Sequence, residues 1–77
     1  MSIIPIITPN ELLAVLLKAG FKIIRQKGSH IRFHNPSTGR STTVAMHVGD
    51  LTRKLIKDIL NQSDISAEEF LELLGKK

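Results

Sequence analysis

The residues with the clearest capacity for chemistry lie in one short stretch, residues 28–34 with the sequence GSHIRFH. Successive side chains of a β-strand point to opposite faces, so a strand here would separate its apolar side chains from its polar ones. His30, Arg32 and His34 then share one face. Imidazole changes its protonation state near pH ~6.5 and guanidinium is a fixed cation, so this face could both bind a polyanion and move protons.

His30 directly follows a predicted Gly28–Ser29 turn, where the backbone can come close to a ligand. Beside arginine and lysine, an imidazole can act on RNA without a metal ion. It can remove the proton of a 2′-hydroxyl or protonate the leaving 5′-oxygen, while nearby cations stabilise charge on the phosphoryl group. The alternative is that His30 only contacts phosphate, and the residue types alone leave both interpretations open.

The other two histidines, His34 and His47, are more typical of residues that contact RNA or solvent than of catalysts. Three histidines also raise the question of a metal site, which usually includes cysteines or carboxylates. His30 and His34 would be about 13 Å apart on a strand at a rise of ~3.3 Å per residue, too far to share one ion. We therefore predict no metal site and no cofactor.

Length and composition predict one globular domain over residues 1–77, because 42% of the residues are hydrophobic. The chain contains no cysteine, so no disulfide or thiolate site can stabilise it. No secretory or membrane-spanning segment is evident, and we expect a cytoplasmic protein. Three phenylalanines are the only aromatic residues, few for a module that binds single strands by base stacking.

The net charge of +4 is unevenly distributed along the chain. Residues 1–17 carry one acid, and residues 58–77 carry five acids and two lysines. Residues 18–57 carry nine basic residues against a single acid, Asp50. A solvated lysine-rich surface could produce such a block, but its concentration within a small domain favours a surface that binds phosphate.

The order of the elements is predicted to be α-β-β-β-α with a short C-terminal helix. Thr8 and Glu11 form a capping box for the first helix, which Gly20 ends. Strand patterns follow in residues 21–26, in the stretch up to His34 and in residues 41–47, with turns at residues 27–28 and 35–39. The pattern predicts an α+β fold with a three-stranded antiparallel sheet, helices on one face and the His30 face open.

The second helix is predicted to begin after Thr52, and Ser66 and Glu69 form a capping box for the last one, which reaches Leu74. Cations in a first helical turn oppose the helix dipole, so Lys54 and its basic neighbours indicate a contact with phosphate. The apolar stripe of the second helix is predicted to consist of Leu51, Leu55, Ile56, Ile59 and Leu60.

Five short segments together resemble the HicA toxins, small messenger-RNA interferases of type II toxin–antitoxin systems. The segments are Thr8-Pro9-Asn10-Glu11-Leu12, Gly20-Phe21, Arg25-Gln26-Lys27-Gly28-Ser29-His30, Thr42-Thr43-Val44-x-x-His47 and Ile65-Ser66-x-Glu68-Glu69-Phe70. They occur in the family's order and spacing over nearly the whole chain. Two positions depart from the family pattern, since Lys54 replaces a glycine and Ala45 a proline.

The resemblance implies a fold like that of the double-stranded-RNA-binding domain, a single catalytic histidine at His30 and a HicB antitoxin as partner. The residues expected to contact RNA are Lys27, Gly28, Ser29, Arg32, His34 and Lys54. The leading hypothesis is a metal-independent endoribonuclease that cleaves messenger RNA and is neutralised by its antitoxin.

Two other classes of function are alternatives to the ribonuclease hypothesis. A non-catalytic RNA-binding module of the same fold would use His30 only for contact. A DNA-binding repressor subunit is disfavoured, because the chain lacks the helix-turn-helix order and has a sheet face where a recognition helix should lie.

Overall fold

The computed structural model describes residues 4–46 and 51–75, in which the elements follow the order α-β-β-β-α-α. They are α1 (Pro9–Lys18), β1 (Lys22–Lys27), β2 (His30–His34), β3 (Ser41–Ala45), α2 (Arg53–Ser63) and α3 (Ala67–Leu74). The predicted α+β class and its similarity to the double-stranded-RNA-binding fold are confirmed. The third strand ends two residues earlier than predicted, and His47 lies outside the described residues.

Helix α1 begins and ends as the sequence predicts. The Thr8 hydroxyl accepts a hydrogen bond from the Glu11 amide at 3.2 Å, and the Glu11 carboxylate accepts one from the Thr8 amide at 3.0 Å. This reciprocal pair satisfies two amides that have no partner within the helix. After the C-cap residue, Gly20 turns the chain with a φ of +101°.

The two C-terminal helices also begin at their predicted cap residues, but of the capping box predicted for α3 the described residues form only the Ser66 half. The Thr52 hydroxyl accepts from the amide of Leu55 at 3.2 Å, and the Ser66 hydroxyl from that of Glu69 at 3.1 Å. The prediction that Leu55 belongs to the buried stripe of α2 is wrong, because its side chain is 41% exposed. At 3.6 residues per turn, Leu55 falls beside the stripe that faces the core, not within it.

The sheet has the order β1-β2-β3, with both neighbouring pairs antiparallel. Lys27, predicted to lie in the first turn, is instead the last residue of β1 and pairs with His30. The turn itself consists of Gly28 and Ser29. A two-residue loop with glycine first, here with a φ of +58°, matches a type II′ hairpin turn, whose twist suits the strands on either side.

The core lies between the helices and one face of β2 and β3. Side chains on these two strands alternate between buried and more exposed positions, as a sheet with one covered face requires. The buried apolar residues are Ile7, Leu12, Val15, Leu16, Phe21, Ile31, Phe33, Val44, Leu51, Ile56, Ile59, Leu60, Ile65 and Phe70. None of the helices in the described residues is both long and apolar enough to cross a membrane.

Strand β1 differs from its neighbours because all of its residues are exposed. Helices α1 and α2 pack beneath β3, so the inner side of β1 extends beyond the helical layer. Ile23, on that inner side opposite Phe33, is 45% exposed. The prediction of one packed face therefore holds for β2 and β3 but not for β1.

We expect Phe33→Ala to lower the free energy of unfolding by about 3–5 kcal/mol, because it leaves a cavity at a fully buried position. Ile24→Ala is the matched control in the same sheet. Ile24 is 55% exposed, so its substitution should change the stability by less than about 0.5 kcal/mol. Urea unfolding measures both, and equal losses would contradict the assignment of the core.

Candidate functional site

The uncovered side of the sheet, here called the open face, carries three rows of paired residues. The first row is Lys27, His30 and Ala45, the second Arg25, Arg32 and Thr43, and the third Lys22, His34 and Ser41. Paired residues of an antiparallel sheet project to the same face. Each row therefore places a basic side chain of β1 directly opposite a histidine or arginine of β2.

A β-bulge in β1 produces this arrangement. Ile23 pairs with Phe33 and Arg25 pairs with Arg32, which leaves Ile24 as an extra residue between the two pairs. The two-residue turn sets Arg25 opposite Arg32, so without the extra residue strict alternation would turn Lys22 toward the helix side of the sheet. The bulge therefore places all three cations of β1 on the open face.

His30 is the first residue of β2 and its side chain is exposed. The preceding turn is attached to the third strand as well as to its own hairpin, since the Ser29 carbonyl accepts a hydrogen bond from the Met46 amide at 2.6 Å. His30 itself pairs with Lys27 on one side and Ala45 on the other. The backbone that carries the imidazole is therefore held on both sides, while the ring can meet a ligand from solvent.

Gly28 leaves open space beside this histidine. Among the described residues, no atom lies within 4 Å of a Cβ atom built at Gly28. A ligand can therefore approach the turn closely, and the glycine itself is needed for the backbone conformation. This agrees with the predicted role of Gly28 and Ser29 in RNA contact, which stays a prediction.

His34 lies at the other end of β2 and has a different environment. It is half-buried, and its Nδ1 atom is 2.9 Å from the hydroxyl oxygen of Ser41. The rise of a strand separates His34 from His30 by about 13 Å. The structure thus places both imidazoles on the open face but does not bring them together. Among the described residues, no three His, Cys, Asp or Glu side chains are grouped to hold a metal ion.

Lys54 is not part of the open face. It lies in the first turn of α2, on the helical side of the sheet, and its ammonium nitrogen is 3.3 Å from a carboxylate oxygen of Asp58. The adjacent Arg53 donates a hydrogen bond to the Ile4 carbonyl at 2.8 Å. An RNA contact at Lys54 therefore belongs to a second surface and stays a prediction.

The sequence reasoning missed Lys22 and Arg25, which the structure places on the open face. The signal for Arg25 was available at the turn end of the hairpin, whereas Lys22 reaches this face only through the bulge. Counting back from a two-residue Gly28–Ser29 loop pairs Lys27 with His30 and Arg25 with Arg32. Counting forward from Lys22 with strict alternation gives the wrong face for Arg25.

The formal charges on the open face are all positive. No aspartate or glutamate occurs anywhere between Glu11 and Asp50, a range that includes all three strands. Its fixed charges come from Lys22, Arg25, Lys27 and Arg32. Such a surface can bind several phosphates of one polyanion and place one of them near the imidazole of His30.

One family model matches the chain, described as the HicA toxin of bacterial toxin–antitoxin, over residues 9–65. The match covers more than half of the 77 residues and includes every residue of the open face. It runs from the first residue of α1 to just beyond the end of α2. A comparison with curated proteins gives no significant match.

We expect Gly28→Ala to lower the free energy of unfolding by about 1–2 kcal/mol, because an L-residue is strained at a φ of +58°. Ser29→Ala is the matched control in the same turn, since Ser29 has a negative φ. It should cost less than about 0.5 kcal/mol. Urea denaturation of the two variants provides the measurement, and a larger loss for Ser29→Ala would refute the turn assignment.

Proposed function

Because the chain belongs to the HicA toxin family, the ribonuclease-like toxins of bacterial toxin–antitoxin systems, we propose that it is a metal-independent endoribonuclease of messenger RNA. In this proposal His30 is the acid–base residue of the reaction. The observation that carries it is the exposed imidazole of His30 beside a turn with open space, on a sheet face with four fixed cations and no acid.

The proposed reaction is an attack by the RNA on its own backbone. The 2′-oxygen of one nucleotide bonds to the adjacent phosphorus as the bond from that phosphorus to the 5′-oxygen breaks. The products are a 2′,3′-cyclic phosphate and a free 5′-hydroxyl. His30 either takes the proton of the 2′-hydroxyl or supplies the proton to the 5′-oxygen, both ordinary tasks for imidazole, and water exchanges the other proton.

The neighbours of His30 suit the charge that develops during this reaction. Lys27 lies directly opposite it in the same row, and Arg32 lies in the next row of the open face. Cations placed near a phosphoryl group stabilise negative charge that grows in the transition state. The amides of the Gly28–Ser29 turn add hydrogen-bond donors whose backbone a phosphate can approach closely.

We expect His30→Ala to reduce cleavage of a messenger RNA in EDTA by about 10²–10⁴-fold, the usual contribution of a general acid or base. His34→Ala is the matched control, because it removes the same side chain from the same face and strand. It should reduce the rate by less than about tenfold. Cleavage is read on a denaturing gel, and the 3′-terminal phosphate is identified by mass spectrometry.

Each other result has a defined meaning. Full activity of His30→Ala would exclude the catalytic role. Activity that EDTA abolishes would exclude the metal-independent mechanism. RNA that stays intact with the wild type but is bound by it would favour the alternative, a non-catalytic RNA-binding module of the same fold.

We further propose that the antitoxin partner is a HicB-type protein that covers the open face. A partner with an acidic surface complements the fixed cations there and excludes RNA from His30. The prediction is that a HicB-type antitoxin displaces a labelled RNA oligonucleotide from the His30→Ala variant, measured by fluorescence anisotropy. Formation of a ternary complex with both ligands bound would place the antitoxin elsewhere.

A further inference from the structure

The second row of the open face contains two arginines directly opposite each other, Arg25 on β1 and Arg32 on β2. Paired residues on one face have Cβ atoms about 4.5–5.5 Å apart. Both side chains are exposed, and they project from adjacent strands of one hydrogen-bonded hairpin. The two guanidinium groups are thus confined to the same small region of the surface.

Nothing within the described residues offsets their repulsion. Like charges at directly opposite positions destabilise a sheet. No side-chain hydrogen bond or ion pair within residues 4–46 and 51–75 involves either guanidinium. Three cations of the helices differ from them: Lys18 donates to the Leu73 carbonyl, Arg53 to the Ile4 carbonyl and Lys54 to the Asp58 carboxylate.

A bulge at Ile24 lies directly beside this pair. Bulges occur often beside functional sites, where they change the direction of a side chain. Here the two-residue turn sets Arg25 opposite Arg32, and the extra residue brings Lys22 to the same face and leaves Ile24 55% exposed. A repulsive pair with a third cation on the same face indicates a site that binds an anion.

We propose that Arg25 and Arg32 jointly bind one phosphate of the RNA backbone, next to the phosphodiester that faces His30. The identification of the anion as RNA rests on the ribonuclease function proposed above. Each guanidinium has five donors in a planar fork that fits the oxygens of a phosphate. Arg32 is two residues from His30 on the same strand, about 6.6 Å along it, so the two rows can hold neighbouring groups of one RNA chain.

The test uses Arg25→Gln, Arg32→Gln and the double variant, each made in the His30→Ala background so that RNA stays intact. Arg40→Gln is the matched control, because it removes the same charge from the loop between β2 and β3. Binding of a labelled single-stranded RNA oligonucleotide is measured by fluorescence anisotropy between 50 and 200 mM salt. Thermal unfolding of each variant without RNA is measured at the same salt concentrations.

We expect each single variant to bind RNA about 3- to 10-fold more weakly, and the double variant to lose less than the product of the two single losses. The slope of log affinity against log salt should become shallower by about 0.7 in the double variant, the value for one phosphate of a single strand. Arg40→Gln should change the affinity by less than twofold.

Relief of the repulsion gives an independent signature. Each single variant should melt about 1–6 °C higher than its parent at 50 mM salt, and the increase should shrink at 200 mM. A side chain that only supported the fold would lower the melting temperature when it was removed. Lower melting temperatures for both variants would therefore overturn the proposal.

The outcomes separate this proposal from the ribonuclease function. RNA affinity in the double variant equal to that of Arg40→Gln overturns the phosphate site, even if the wild type cleaves RNA. Independent losses that multiply fully in the double variant show two separate phosphate contacts and also overturn it. Arginine-dependent binding by a wild type that never cleaves RNA overturns the ribonuclease proposal and supports this one.

Discussion

The arrangement of the open face depends on one register shift in β1. An antiparallel ladder fixes the face of every side chain, so a single extra residue inverts all positions beyond it. Counted from the turn, Ile24 is that residue, and it keeps Lys22 on the side that carries His30. The two-residue turn at Gly28 then fixes the opposite end of the hairpin, so the register is determined at both ends.

The helical layer divides the sheet into a supported part and a free part. Strand β2 is central, with ladder partners on both sides and Phe33 fully buried beneath it. Its outward side chains, His30 and Arg32, therefore project from a well-fixed backbone. Strand β1 extends beyond the helices, and its cations remain hydrated. This arrangement avoids the cost of burying charge before a ligand arrives.

Features set by local chemistry were predictable from the sequence, including the caps at Thr8, Thr52 and Ser66. Each depends on residues within one helical turn. The bulge was not predicted, because an isoleucine fits a regular strand as well as an irregular one and the register depends on the partner strand. For the same reason the sequence could not place Lys22 opposite His34, whereas counting back from a two-residue turn pairs Arg25 with Arg32.

The distribution of acids gives the domain an electric dipole moment across its layers. The strands contain none, while Glu68, Glu69 and Glu72 all lie on α3. The electric field of an approaching polyanion therefore exerts a torque on the domain, which turns the sheet toward the polyanion before any contact forms. The Debye length at 0.1 M salt, about 10 Å, is close to the 11.6 Å radius of gyration. The orienting torque thus acts over a distance of about one molecular radius, and this distance shortens as the ionic strength rises.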